Sequence, residues 1–166
     1  DACTIGRYNT SMGYNALSTD VDGDYAVAIG YAALENQESD SANQELWNVA
    51  VGALAGAAVS SGIQNTYIGG YTGGGAVNTA DSNVGVGFKA LQLNTTGAAN
   101  VAVGAYALDA NTTGSQNVAV GYNALAAATT GNFNIAMGHD AQTAITTGSN
   151  NIAIGQSALG TNTADN

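Results

Sequence analysis

A glycine returns every 17 residues through the second half of the chain, at Gly104, Gly121, Gly138 and Gly155. Each closes a five-residue motif: Asn100-Val-Ala-Val-Gly104, Asn117-Val-Ala-Val-Gly121, Asn134-Ile-Ala-Met-Gly138 and Asn151-Ile-Ala-Ile-Gly155. A fixed short period of this kind marks a stack of repeats, each burying its apolar face against its neighbours. Followed backward, the column continues through Gly87, Gly69, Gly52, Gly30 and Gly13. It absorbs one extra residue between Gly69 and Gly87 and five between Gly30 and Gly52. Residues 1–166 therefore read as a single repeat domain of about nine coils, with an insertion loop near 35–47.

The columns around the glycine define the coil. Four positions before it stands asparagine in every repeat except the second, where the residue is Ala26. Positions −3 and −1 are mostly β-branched and position −2 is small, an alternation of period two that specifies a strand. Large residues on one face and alanine on the other imply burial on both faces. A coil has only one interior of its own, so the alanine face is expected to meet neighbouring chains. Ala-Leu after the glycine (Ala107-Leu108, Ala124-Leu125) reads as a second short extended piece. Thr-Thr-Gly reads as the return turn, with glycine at the permissive position. The fold class is all-β: a parallel β-solenoid with coils about 4.8 Å apart, hence a rod on the order of 40 Å long. Stacked side chains of Asn83, Asn100, Asn117, Asn134 and Asn151 are expected to form a hydrogen-bonded structural ladder.

Composition removes several functions. Two Lys and Arg residues stand against twelve acids, for a formal charge of −10. Nucleic acid is an unsuitable partner, because phosphate neutralisation needs clustered cations. An anionic membrane surface is disfavoured for the same reason, and no apolar run is long enough to suggest a spanning helix or membrane insertion. The chain opens at Asp1 without a charged-then-apolar leader, as a processed chain or an excerpt would. One cysteine, Cys3, reads as a small buried residue or an interchain bridge. Gly85-Val-Gly87-Phe-Lys-Ala90 matches the short dinucleotide pattern, but its glycine and alanine are column residues and no βαβ unit follows. A single histidine, His139, leaves no material for a His-paired zinc site or a Ser-His-Asp triad. Carboxylate pairs of the glycosidase kind would need repeated inward positions, whereas the acids cluster in turns. The chain reads as no enzyme.

Recognition chemistry is expected where the repeat fails. The segment Glu35–Trp47 carries the five extra residues, with Glu35, Glu38, Asp40, Glu45 and the only tryptophan. Insertions in solenoids emerge as loops, often on the binding face. These residues form either a receptor-binding knob centred on Trp47 or a solvated acidic tip with Trp47 folded over an exposed edge. Asp20-Val-Asp22-Gly-Asp24 resembles the opening of a calcium loop, because a hard cation needs several oxygen ligands around a sharp turn. The alternative is an acidic turn without metal, and no other cofactor is expected. Gly69–Gly75, rich in glycine where other coils have Ala-Leu, reads as a locally weak or bent coil.

The unit Asn-x-Ala-x-Gly-x-x-Ala-Leu resembles the head repeats of YadA-like trimeric adhesins and the repeats of bacteriophage tail fibres. Its closest copies here are Asn117–Leu125 and Asn9–Leu17. YadA-type heads repeat at a shorter period, and the longer turn favours the fibre-type comparison. The resemblance implies a left-handed parallel β-roll, a side-by-side homotrimer with small residues at the three-fold contact, and an extracellular place on a cell surface or virion. It implies a rod that presents a host or cell-surface receptor site, with glycan among the ligands. The alternatives are a purely structural filament module, whose open ends stack into a longer fibre, and an ice-binding solenoid built on the threonine columns.

Overall fold

A computed structural model describes residues 6–41 and 44–160. Nine strands form one parallel sheet in sequence order: β1 (Thr10–Met12), β2 (Val27–Ile29), β3 (Val49–Val51), β4 (Thr66–Ile68), β5 (Val84–Val86), β6 (Val101–Val103), β7 (Val118–Val120), β8 (Ile135–Met137) and β9 (Ile152–Ile154). Equivalent residues pair throughout, as Val101↔Val118, Ala102↔Ala119 and Val103↔Val120. Both insertions are absorbed outside the sheet, because β2 and β3 still pair in register, as do β4 and β5. The architecture is a parallel β-solenoid, and the described residues contain no helix.

Each strand is three residues long and ends at the column glycine. Gly87 has φ 134°, and a Cβ there would lie 2.6 Å from the backbone oxygen of Gly104 in the next coil. Stacked corners this close admit no side chain, which fixes the period.

Two sequence expectations are corrected here. The alanine face is the coil's own interior: Ala28, Ala50, Ala102, Ala119 and Ala136 are fully buried within one chain. The Val and Ile residues on either side face outward, half-buried or exposed, up to Ile152 and Ile154 at the last coil. A 17-residue coil is thin, so its interior admits only small residues from the strand and one larger residue from the opposite wall. That larger residue is the leucine of Ala-Leu, and it does not lie in a second extended piece. Leu91, Leu108 and Leu125 sit in turns at φ 53°, 53° and 54°, with their side chains fully buried. Left-handed backbone is costly for leucine. It persists because each Leu N–H reaches the next coil, as Leu108 N–H does to Ala124 O at 3.0 Å.

Gly69–Gly75 is filled by a neighbouring side chain, and the strands beside it keep their register. Tyr67, at the position that is alanine in six of the other coils, is fully buried and fills the interior of that region. The leucine column there holds Gly56 and Gly73, and a Cβ on Gly73 would meet the Tyr67 ring at 2.6 Å. The Tyr67 hydroxyl accepts a 3.0 Å hydrogen bond from Asn78 Nδ2. Burial pushes its pKa well above the usual phenol value, so the hydroxyl stays protonated.

Candidate functional site

The interior polar groups serve the stack. Asn100 Oδ1 accepts the N–H of Asn117 at 2.9 Å, and Asn100 Nδ2 donates to Gly114 O at 2.8 Å. Asn83, Asn117 and Asn134 repeat both contacts, and Asn151 closes the series on Asn134. A second buried amide row went unnoticed in the sequence. Asn111 Nδ2 donates to Asn94 Oδ1 at 2.7 Å, and each also bonds the glycine of its own Thr-Thr-Gly turn. Its signal was the Asn that precedes Thr-Thr-Gly at 94 and 111. The threonines divide their work. Thr112 Oγ1 donates to Thr129 O at 2.9 Å, whereas Thr113 faces solvent.

The insertion is smaller than the segment Glu35–Trp47. Gln37 is fully buried, with Nε2 donating to Ser60 O at 2.8 Å, and Leu46 is fully buried where the chain re-enters the coil. The loop therefore emerges between Gln37 and Glu45, and its Ala42 and Asn43 lie outside the described residues. Glu35 belongs to the regular turn, accepting a 3.0 Å bond from Asn15 Nδ2. Glu38, Asp40 and Glu45 are exposed, and the Asp40 N–H donates to Gln44 Oε1 at 2.6 Å.

Trp47 belongs to a regular column of the coil rather than to the loop, and its ring is exposed. It occupies the position five residues before the column glycine, with the same left-handed backbone as Tyr8 and Tyr25 (φ 53°, 62° and 62°). The three rings form a surface stack: Tyr8 on Tyr25 at 4.9 Å and Tyr25 on Trp47 at 4.3 Å, inclined by 15° and 5°. Trp47 Nε1 donates to Glu45 Oε2 at 3.3 Å, tying the loop's exit to the stack.

The three aspartates do not converge. Asp20 is fully buried with Oδ2 unpartnered, and desolvation raises its pKa. Asp22 accepts a hydrogen bond from the Ser39 hydroxyl of the insertion, and Asp24 Oδ1 accepts the N–H of Arg7. Among the described residues no three acidic, histidine or cysteine groups gather as metal ligands. The carboxylates are separated because the chain bends at Val21 and Asp22, which leaves Asp20 inside the coil and Asp22 at the surface. What remains on the surface is a depression of about 210 Å³ lined by Thr19, Val21, Asp22, Glu38 and Ser39. Cys3 lies outside the described residues.

A second aromatic row follows the corner after the column glycine. It runs Tyr71, Phe88, Tyr106, Tyr122 and His139, with centroid steps of 6.2, 5.6, 5.9 and 5.2 Å. Lys89 places its ammonium 5.5 Å from the Phe88 ring and 5.9 Å from the Tyr106 ring. His139 Nδ1 lies 2.9 Å from Asp140 Oδ2.

The fold and its surface define a class, the parallel β-solenoid repeat proteins. Compared with known proteins, the chain matches no family model, no curated protein and no solved structure.

Proposed function

We propose that this chain is a non-enzymatic segment of an extracellular fibre, packed side by side with two further copies, that carries a receptor-binding surface on its outer faces. One observation supports this reading above the others. The outward side of the sheet is a row of Val, Ile, Met and Thr side chains that continues across nine strands without a charged residue. The chain's charge of −10 lies elsewhere. A continuous face of half-buried and exposed apolar side chains is more than an isolated rod needs, and contiguous apolar patches mark interaction sites. Like chains of high negative charge repel one another, so they can approach only where charge is absent. The contact in this reading is the Val/Ile face rather than the alanine face.

Sedimentation equilibrium tests the packing. The native chain should run as a trimer. The double variant Val103→Asp, Met137→Asp, at exposed outward positions on the non-adjacent strands β6 and β8, should run as a monomer with an unchanged far-ultraviolet dichroism spectrum, because both aspartates would be solvated in the single rod and opposed only between chains. A monomeric native chain would overturn the reading. Recognition is tested separately by excising residues 38–44 while keeping Gln37 and Leu46, which the coil needs. Loss of adsorption to cells with the trimer intact places the receptor site at the loop, and unchanged adsorption removes it from there.

A further inference from the structure

We infer that the edge-to-face part of the aromatic corner row, Tyr71–Phe88–Tyr106–Tyr122, is a docking track for an extended, uncharged β-linked polysaccharide lying along the rod. The inference builds on the fibre reading by naming a ligand class and a site away from the insertion loop.

The row is not required by the coil. At the same corner the third coil carries Ala53 and Leu54, yet the backbone bonds are the same. Leu54 N–H reaches Tyr31 O at 2.8 Å, as Tyr106 N–H reaches Phe88 O at 2.9 Å. The rings therefore add something the hydrogen-bonded corner lacks. They also remain at the surface, with Tyr71, Phe88 and Tyr122 exposed by 41%, 43% and 50%.

Ring orientation separates this row from the other aromatic contacts, which include Tyr14 on Tyr31 at the same corner of the first two coils, parallel within 8° at 5.8 Å. Tyr8, Tyr25 and Trp47 lie nearly parallel and cover each other's faces. In the corner row the interplanar angles are 80°, 84° and 75° from Tyr71 to Tyr122, whereas His139 closes the row nearly parallel to Tyr122 at 20°. An edge-to-face chain leaves alternate rings with a face that no neighbour covers. Across the four rings Tyr71 to Tyr122 this gives two such faces two coils apart, about 9.6 Å by the ordinary strand spacing. That distance is close to the two-sugar repeat of a fully extended β-linked glycan, in which every second ring presents the same face. Apolar sugar faces pack on aromatic rings, and the Lys89 ammonium beside Phe88 and Tyr106 offers donors to sugar hydroxyls. Charge selects among polymers. A polyanion meets a chain of −10 with a single cation at this corner, whereas a neutral glycan meets no repulsion.

Affinity electrophoresis in native gels tests the inference, with the intact chain and gels containing a neutral β-glucan, a soluble chitin derivative, a mannan or a sulfated dextran. The β-linked neutral polymers should retard the native chain. Phe88→Leu with Tyr106→Leu, which keeps apolar bulk and removes two rings, should weaken retardation by about tenfold. Tyr25→Leu, in the parallel stack, should leave it unchanged. The inference is overturned if no neutral β-linked polymer retards the native chain, if the double variant is retarded equally, or if sulfated dextran is preferred. It is likewise overturned if the double variant sediments as a smaller oligomer, which would assign the row to contact between copies. Sedimentation and retardation are independent readouts, so failure of the glycan track leaves the trimer test standing.

Discussion

Coils six and four fill the same interior from opposite walls. In the sixth coil the strand contributes Ala102 and the turn contributes Leu108. In the fourth the strand contributes Tyr67, and the turn position is Gly73. Tyr67 is too large for one coil, and its ring also occupies the leucine space of the coil below. A Cβ on Gly56 would meet Tyr67 at 3.2 Å, and one on Gly85 above would meet it at 3.2 Å. Four positions have changed together, yet the strands pair in the same register on both sides. The stack therefore constrains the volume summed over neighbouring coils, not the residue at each position, as close packing requires.

The largest test breaks that exchange. Tyr67→Ala should destabilise the rod by about 3–5 kcal/mol, through the cavity left and the lost partner of Asn78 Nδ2. Adding Gly56→Leu and Gly73→Leu should recover most of the loss, because both glycines have φ 59°, near the value that leucine adopts at Leu108. Chemical denaturation of the three proteins measures it. If the triple variant is no more stable than Tyr67→Ala, filling is set by each coil separately.

How legible this was depended on which side of the wall a pattern described. The period, the parallel strands and the asparagine column follow from backbone spacing, which the glycines report directly. The facing of the strand did not follow, because Val and Ile normally mark the interior and only the thinness of the coil reverses them. Ala-Leu looked extended for the same reason: its apolar pair repeats, while its left-handed backbone leaves no trace in residue type. Trp47 was read with the insertion because it adjoins it. Counted back from Gly52 it falls in line with Tyr25 and Tyr8, a signal that was present in the spacing. The exchange at Tyr67 was visible as two exceptions, a tyrosine among alanines and glycines among leucines, which only their contact joins into one.

A second difference lies within the buried column that follows the leucines. Asn94 and Asn111 occupy it in the fifth and sixth coils, whereas Asp20 occupies it in the first. Asp20 has a raised pKa, so its folded form holds a proton more tightly than its unfolded form. Its stabilising contribution is fully present below the ordinary aspartate value of 3.8 and is lost as pH rises through the raised folded value. The rod should therefore melt higher at mildly acidic pH than at neutrality. Asp20→Asn should raise the neutral melting point, by about 1–3 kcal/mol of stability, and remove most of that slope. An unchanged pH profile in the variant would assign the slope to other acids.

The same column offers a gain in the opposite half. Ala128 ends the amide row begun by Asn94 and Asn111, and Asn111 Oδ1 is left buried without a partner. Ala128→Asn should donate to that oxygen and to Gly131 O, as Asn111 donates to Asn94 Oδ1 and Gly114 O one coil earlier. Its neighbour Leu125 has the burial and backbone of Leu108, so the space that accepts Asn111 recurs. The net gain should be about 1 kcal/mol.

The smallest effect inverts an ordinary rule. Ala99 is exposed at φ 57°, in the column of left-handed residues that includes Trp47 and Phe133. Relief of left-handed strain by glycine is worth about 1–2 kcal/mol, and the added freedom of the unfolded chain takes back about 0.5–1 kcal/mol. Ala99→Gly should thus stabilise the rod by a few tenths to about 1 kcal/mol. A glycine that destabilises instead would mean that neighbouring coils, through bonds such as Ala99 N–H to Asp81 O at 3.1 Å, already compensate the strain in full.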